Sequence, residues 1–135
     1  MDGFDVILTC IALTVYHEAR GEPYESQFAV ASTVINRAVK NHAGDTCRAA
    51  FADKQFSWTE WGYDQKRKCL TARGKPTDDL AWRRSLSVAN DAVYRRTMPN
   101  LYHYHTKDSK PKWTGSGRGT VGTVVAVYGT HKFYE

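Results

Sequence analysis

The sequence predicts a mainly α-helical chain with a small β element towards its end, an α+β fold in a single domain spanning residues 1–135. Three observations carry this expectation. Apolar residues recur at helical spacing in three separate runs, a Val- and Thr-rich stretch follows them, and no linker or internal repeat divides the 135 residues. The content of 41% apolar and 24% charged residues is that of a globular chain. A chain of this length buries about two thirds of its unfolded surface, so a core of ordinary size is expected to hold it together.

The first helix is expected over residues 4–20, where Val6, Ile7, Cys10, Ile11, Leu13 and Thr14 recur three and four apart and define a broad buried face. Gly21 suits a helix end, and Pro23 suits the first position of the next helix, which should run over 23–40. There Phe28, Ala31, Val34, Ile35 and Ala38 form the apolar stripe, with Glu25, Gln27, Asn36, Arg37 and Lys40 left for water or a groove. Residues 41–75 keep no sustained period and read as a loop with short helical turns. Thr77, Asp78 and Asp79 can cap a third helix, carried by Leu80, Trp82, Leu86, Ala89 and Val93 and ending near Arg96. After a turn at Pro99 and Asn100, residues 107–120 read as a surface loop. Residues 120–128 read as a short strand that 132–134 can pair with.

Nineteen Lys and Arg against fourteen Asp and Glu give a net charge of +5, which favours an anionic partner of any kind: nucleic acid, anionic lipid or anionic wall polymer. The apolar run at 6–16 is shorter than the ~20 residues a bilayer span needs, so no stable membrane insertion is expected. The opening residues Met1 to Asp5 contain two acids and no base, unlike a secretory leader, and a start in the cytoplasm is expected. Three cysteines without a C-x-x-C pair fit a reducing compartment better than a disulfide framework, with a Cys47–Cys69 bridge left open. No heptad pattern or surplus apolar segment is present, and a monomer is expected.

The segment Tyr16-His17-Glu18-Ala19-Arg20-Gly21-Glu22-Pro23 is the most informative for chemistry. It sets Glu18 at the C-terminal end of an apolar helix, where desolvation and the helix's negative end both favour the protonated acid. Such an acid can protonate a leaving oxygen near neutral pH, and the plainer reading pairs Glu18 with Arg20 on the surface.

The run EARGEPYESQFAVASTVINR from Glu18 resembles the signature of the SleB-type cell-wall hydrolases, the spore cortex-lytic family that includes phage endolysins. The likeness continues through Gln55-Phe56-Ser57-Trp58, then His103-Tyr104-His105 with Pro111 and Trp113, then His131-Lys132-Phe133-Tyr134, four blocks in order over nearly the whole chain. The stretch 98–102 departs from the pattern, holding Met-Pro-Asn-Leu-Tyr where relatives commonly carry a Gly-Ala pair. The resemblance implies a lysozyme-like domain acting on peptidoglycan glycan with Glu18 as catalytic acid. It also suggests Ser57 beside Glu18, and Tyr104 in contact with substrate or with Glu18. Lacking wall-binding repeats and an export signal, the chain is expected to be a phage lysis enzyme, held in the host cytoplasm until release to the periplasm or wall.

Gln55, Ser57 and Trp58 suit a sugar cleft, an amide and a hydroxyl for sugar hydroxyls and an indole for an apolar sugar face, although Phe56 and Trp58 also suit a core. Glu22 suits the positive start of the second helix as a supporting acid. A hydrolase usually needs a second carboxylate, for which Glu22, Asp53, Glu60 and Asp64 are the candidates. A lytic transglycosylase does not: one Glu protonates the glycosidic oxygen, then serves as base for the muramic 6-hydroxyl. The resemblance favours that course. Two rival readings stand beside it. The first is a zinc amidase or endopeptidase built on His103 and His105 with His131 or His17, disfavoured because no H-E-x-x-H is present. The second is a nucleic-acid module combining Lys66, Arg67, Lys68, Arg73, Lys75, Arg83, Arg84, Arg95 and Arg96 with Trp58, Trp61 and Tyr63, which no known binding motif accompanies. Neither metal nor cofactor is expected, and peptidoglycan rather than nucleic acid is the expected partner.

Overall fold

The computed structural model describes residues 3–52, 56–107 and 123–135. Helix α1 (Gly3–Ala19) packs against α5 (Asp79–Tyr94), α2 (Tyr24–Asn41) and α3 (Thr46–Phe51), so it is the central helix of the molecule. Its middle shows why: Ile11, Ala12 and Val15 are completely buried, as are Ala29 and Ala31 on α2. The expected buried face does not reach the first turns, since Val6 and Ile7 are about 40% exposed. The α+β class expected from the sequence is what the chain adopts.

The helix boundaries follow local chemistry. Gly21 takes φ +84°, a left-handed conformation that ends α1, and Pro23 serves as the N-cap of α2. Of the three candidate caps, Asp78 is the one used: its carboxylate accepts from the Ala81 amide at 3.1 Å. The Tyr16 hydroxyl accepts from the amides of Thr77 and Asp78 at 3.2 and 3.0 Å, tying the entry to α5 back onto α1.

The irregular middle resolves into α3, the single-turn α4 (Thr59–Gly62), a two-residue hairpin of β1 (Tyr63–Asp64) with β2 (Cys69–Leu70), and a 3₁₀ turn at Ala72–Gly74. Gly74 lies so close to the Gly62 carbonyl that a Cβ there would sit 1.9 Å from its oxygen. Cys10 on α1 and Cys47 on α3 form a disulfide, and Cys69 is free and exposed. This corrects the expectation of reduced thiols, and the pairing is not the Cys47–Cys69 bridge that was left open: packing of α3 on α1 brings together two cysteines 37 residues apart.

The second sheet is antiparallel with order β3-β5-β4, formed by His103–Thr106, His131–Tyr134 and Val124–Tyr128. Strands β4 and β5 make a hairpin through Gly129 and Thr130, and Gly129 has φ +54°. The expected strand residues 120–122 and most of the expected loop at 107–120 fall outside the described residues. No described helix is long and apolar enough to cross a membrane.

Candidate active site

Glu18 occupies the last turn of α1 and is half buried. Ser57, exposed on the turn before α4, donates to its carboxylate with Oγ 3.3 Å from Oε1 and 3.5 Å from Oε2. The backbone amides of Ser57 and Trp58 also address the carboxylate. From the other side comes Tyr104 of β3, whose buried hydroxyl makes no hydrogen bond of ordinary geometry but interacts with the Glu18 carboxyl. Burial drives the Glu18 pKa above the usual carboxyl range, and the Ser57 hydroxyl and these amides offset only part of that rise. The Tyr104 phenol is pushed far up, first by burial and then by the Glu18 charge, so it stays protonated.

Arg37 of α2 completes the surroundings. Its guanidinium lies 4.7 Å from the centre of the Phe56 ring, and its Nε donates to the Tyr102 carbonyl. Burial lowers its pKa, while Tyr104 and Glu18 act electrostatically in the opposite direction. Four separate elements, α1, the turn at 56–58, β3 and α2, therefore converge on one protonatable carboxyl.

His17, next to Glu18, is fixed by different means. Its Nε2 lies 2.7 Å from the Gly74 carbonyl, and its ring stacks on Trp58 with centroids 4.7 Å apart. The Trp58 indole in turn donates from Nε1 to Thr14 Oγ1 at 3.3 Å. These contacts lock the turn that presents Ser57 onto the helix that presents Glu18.

Across residues 21–134 the sequence fits the profile of the cell wall hydrolase family. The chain belongs to that family. The match begins three residues after Glu18, so the family profile by itself does not address that position. Among solved structures, the catalytic domain of the germination-specific lytic transglycosylase SleB from Bacillus anthracis superposes with a TM-score of 0.70 at 23% identity. The superposition covers 100% of this chain and 99% of that one, a likeness of fold. No curated protein matches the sequence.

The residues singled out in the sequence fare differently in this cell wall hydrolase. Glu18, Ser57 and Tyr104 come together. Trp58 is 1% exposed and serves as core and brace, so it presents no indole face to a sugar; Trp61, 37% exposed, does lie at the surface. Gln55 and Asp53 lie outside the described residues, as do Pro111 and Trp113. His105 faces Tyr134, with Nε2 2.8 Å from its hydroxyl, and supports the sheet.

Glu22 does not join Glu18. Its Oε1 accepts from the Thr130 amide at 2.8 Å, from the Thr130 hydroxyl, and from His131 Nδ1 at 3.1 Å, which holds its pKa down. It clamps the β4–β5 turn to the α1–α2 junction. Gly129 makes room for this clamp, since a Cβ there would meet Glu22 Oε1 at 2.8 Å and Pro23 Cδ at 2.9 Å. Of the other candidate second acids, Asp64 caps its own turn by accepting from the amides of Lys66 and Arg67 at 3.0 Å, and Glu60 is exposed on α4. The histidines of the zinc reading are dispersed over separate partners, and among the described residues no three His, Cys, Asp or Glu converge on a metal position.

Arg37 is the residue sequence reasoning left unassigned. Helical spacing placed it off the apolar stripe of α2, which reads equally as solvent-facing or cleft-facing.

Proposed function

We propose that this protein cleaves the glycan strands of peptidoglycan as a lytic transglycosylase, with Glu18 as general acid and then general base. The observation that carries the reading is one half-buried carboxyl with a raised pKa, ringed by the Ser57 hydroxyl, the Tyr104 phenol and the Arg37 guanidinium. Membership of the cell wall hydrolase family and the fold shared with a lytic transglycosylase catalytic domain support it.

The chemistry needs Glu18 in two states. Protonated, it donates its hydrogen to the glycosidic oxygen as the bond from that oxygen to the muramic C1 breaks. As a carboxylate, it takes the proton of the muramic 6-hydroxyl while that oxygen bonds to C1, closing a 1,6-anhydro ring. The proton is returned to Glu18, and no water is consumed. Burial favours the first state; the Ser57 bond and the nearby Arg37 charge stabilise the second. No second acid is required, in keeping with the structural engagement of Glu22 and Asp64.

Glu18→Gln keeps the shape and removes the transferable proton. Turnover on purified peptidoglycan is expected to fall at least about a hundredfold with the fold retained. Mass spectrometry of the wild-type digest is expected to show anhydromuramic ends. Undiminished turnover by the variant would remove Glu18 from the mechanism, and reducing ends would make the enzyme a hydrolase. A phage lysis enzyme, delivered to the wall from the host cytoplasm, is the setting we propose for this activity.

A further inference from the structure

Tyr104 addresses the Glu18 carboxyl although its buried hydroxyl makes no hydrogen bond of ordinary geometry among the described residues. The direction of the phenol is therefore set by what packs against its ring. The rings against it include His131, edge-on with centroids 5.4 Å apart, Phe133 at 5.5 Å and Phe56 at 6.2 Å. Strand register explains the first two. Tyr104 of β3 lies opposite Phe133 of β5, and His131, two residues back on β5, is its diagonal neighbour on the same face of the sheet.

Of these three rings, only the imidazole can be fixed in orientation by hydrogen bonds. His131 is 2% exposed, and its Nδ1 lies 3.1 Å from Glu22 Oε1 and 3.1 Å from Ser26 Oγ. Hydrogen bonds from Thr130 hold Glu22 in the carboxylate form, so Nδ1 carries a proton and donates it to Glu22. A ring bonded at one edge and packed against a second ring at another locks the rotamer of that second ring.

We infer that His131 is a positioning residue for the reaction: anchored to Glu22 and Ser26, it holds the Tyr104 ring so that the phenol addresses Glu18. The inference rests on the reading of Glu18 as the acid and base of glycan cleavage. It gives Glu22 a part in that reaction without making it a second acid. One face of the sheet then grips the α1–α2 bend on both sides of Gly21, Glu18 through Tyr104 and Glu22 through His131.

The test is a double-mutant cycle between His131 and Tyr104 in the full chain. His131→Asn keeps an N–H for Glu22 and removes the ring. On solubilised peptidoglycan kcat should fall at least about tenfold, with KM within about twofold of wild type. Made in the Tyr104→Phe background, the same substitution should lower kcat by less than about twofold, because the hydroxyl it positions is already gone. A second readout needs no turnover: titration of the Glu18 carboxyl carbon by NMR. Tyr104→Phe should displace its midpoint, His131→Asn should displace it in the same direction, and the double variant should match Tyr104→Phe alone. Equal loss of kcat in both backgrounds, the result of a purely structural role, overturns the proposal. So does a rise in KM at unchanged kcat, or a Glu18 midpoint that either single variant leaves in place. Melting curves establish that each variant is folded at the assay temperature. If His131→Asn is not, Ser26→Ala, which removes one Nδ1 contact and leaves the ring, should show the same non-additivity with a loss of about threefold. Full turnover by Glu18→Gln would end the catalytic reading, and the NMR cycle separates that outcome from failure of the positioning.

Discussion

The bond between Cys10 and Cys47 makes the sharpest stability prediction. Replacing both by Ala removes a cross-link that closes a 37-residue separation. In the chain-entropy account such a closure stabilises by about 3.8 kcal/mol at 25 °C. A 135-residue chain has a melting entropy of about 0.28 kcal/mol/K, so the double variant should melt about 13 °C lower. Alanine is the right replacement because Cys10 is 5% exposed, and a serine hydroxyl there would add an unsatisfied polar group. The assay is thermal melting of both proteins with and without dithiothreitol. Wild type should drop by a similar amount in reductant, and the variant should be indifferent to it. The intact protein should take up one equivalent of a thiol reagent, at the exposed Cys69. A shift below about 3 °C together with three reactive thiols would refute the reasoning. The bond bears on catalysis as well, because α3 leads into the turn that presents Ser57 to Glu18, and loosening α3 should reduce turnover before it unfolds the chain.

Ser57→Ala tests the tuning of Glu18. The acid must be protonated to act, so the rate falls as pH rises through its raised folded-state pKa. Loss of a hydrogen bond that favours the carboxylate raises that pKa further, so the alkaline limb of the pH–rate profile should move to higher pH. The plateau rate should fall about fivefold for one lost positioning bond of about 1 kcal/mol, and a limb that stays put or moves to lower pH would contradict the assignment. Glu22→Gln tests the clamp. Glu22 has a lowered folded-state pKa, so its contribution is present above the ordinary carboxyl range and lost as pH falls through the folded value. The variant should lose about 1–2 kcal/mol at pH 7 in denaturant melts, with the difference shrinking in acid.

What the sequence made legible is what is local or ordered in the chain. The bend at Gly21, the cap at Asp78 and the three long helices depend on neighbours within a few residues, and they stand within about two residues of where periodicity and capping chemistry put them. Glu18 was legible only in part: an acid at the end of an apolar helix left catalysis and a surface pairing with Arg20 both open, and the resemblance chose between them. Ser57 and Tyr104 were reached only through resemblance, since nothing near either one indicates a carboxyl 39 or 86 residues away. The failures are all of one physical kind. Cys10 finds Cys47 because α3 folds across α1, and no spacing rule reports a crossing of helices. Trp58 reads as a cleft aromatic beside Ser57, yet consecutive residues on a tight turn point in opposed directions, one to the carboxyl and the other to Thr14. Arg37 shows the limit most clearly. A charged residue off the apolar stripe of a helix is ordinarily solvated, and only the arrival of β3 and the 56–58 turn over that face converts it into half-buried charge. A single acid can serve both halves of the proposed reaction because its surroundings favour each protonation state in turn. That balance belongs to the assembled site, where burial by α1 and Tyr104 opposes the hydroxyl of Ser57 and the charge of Arg37.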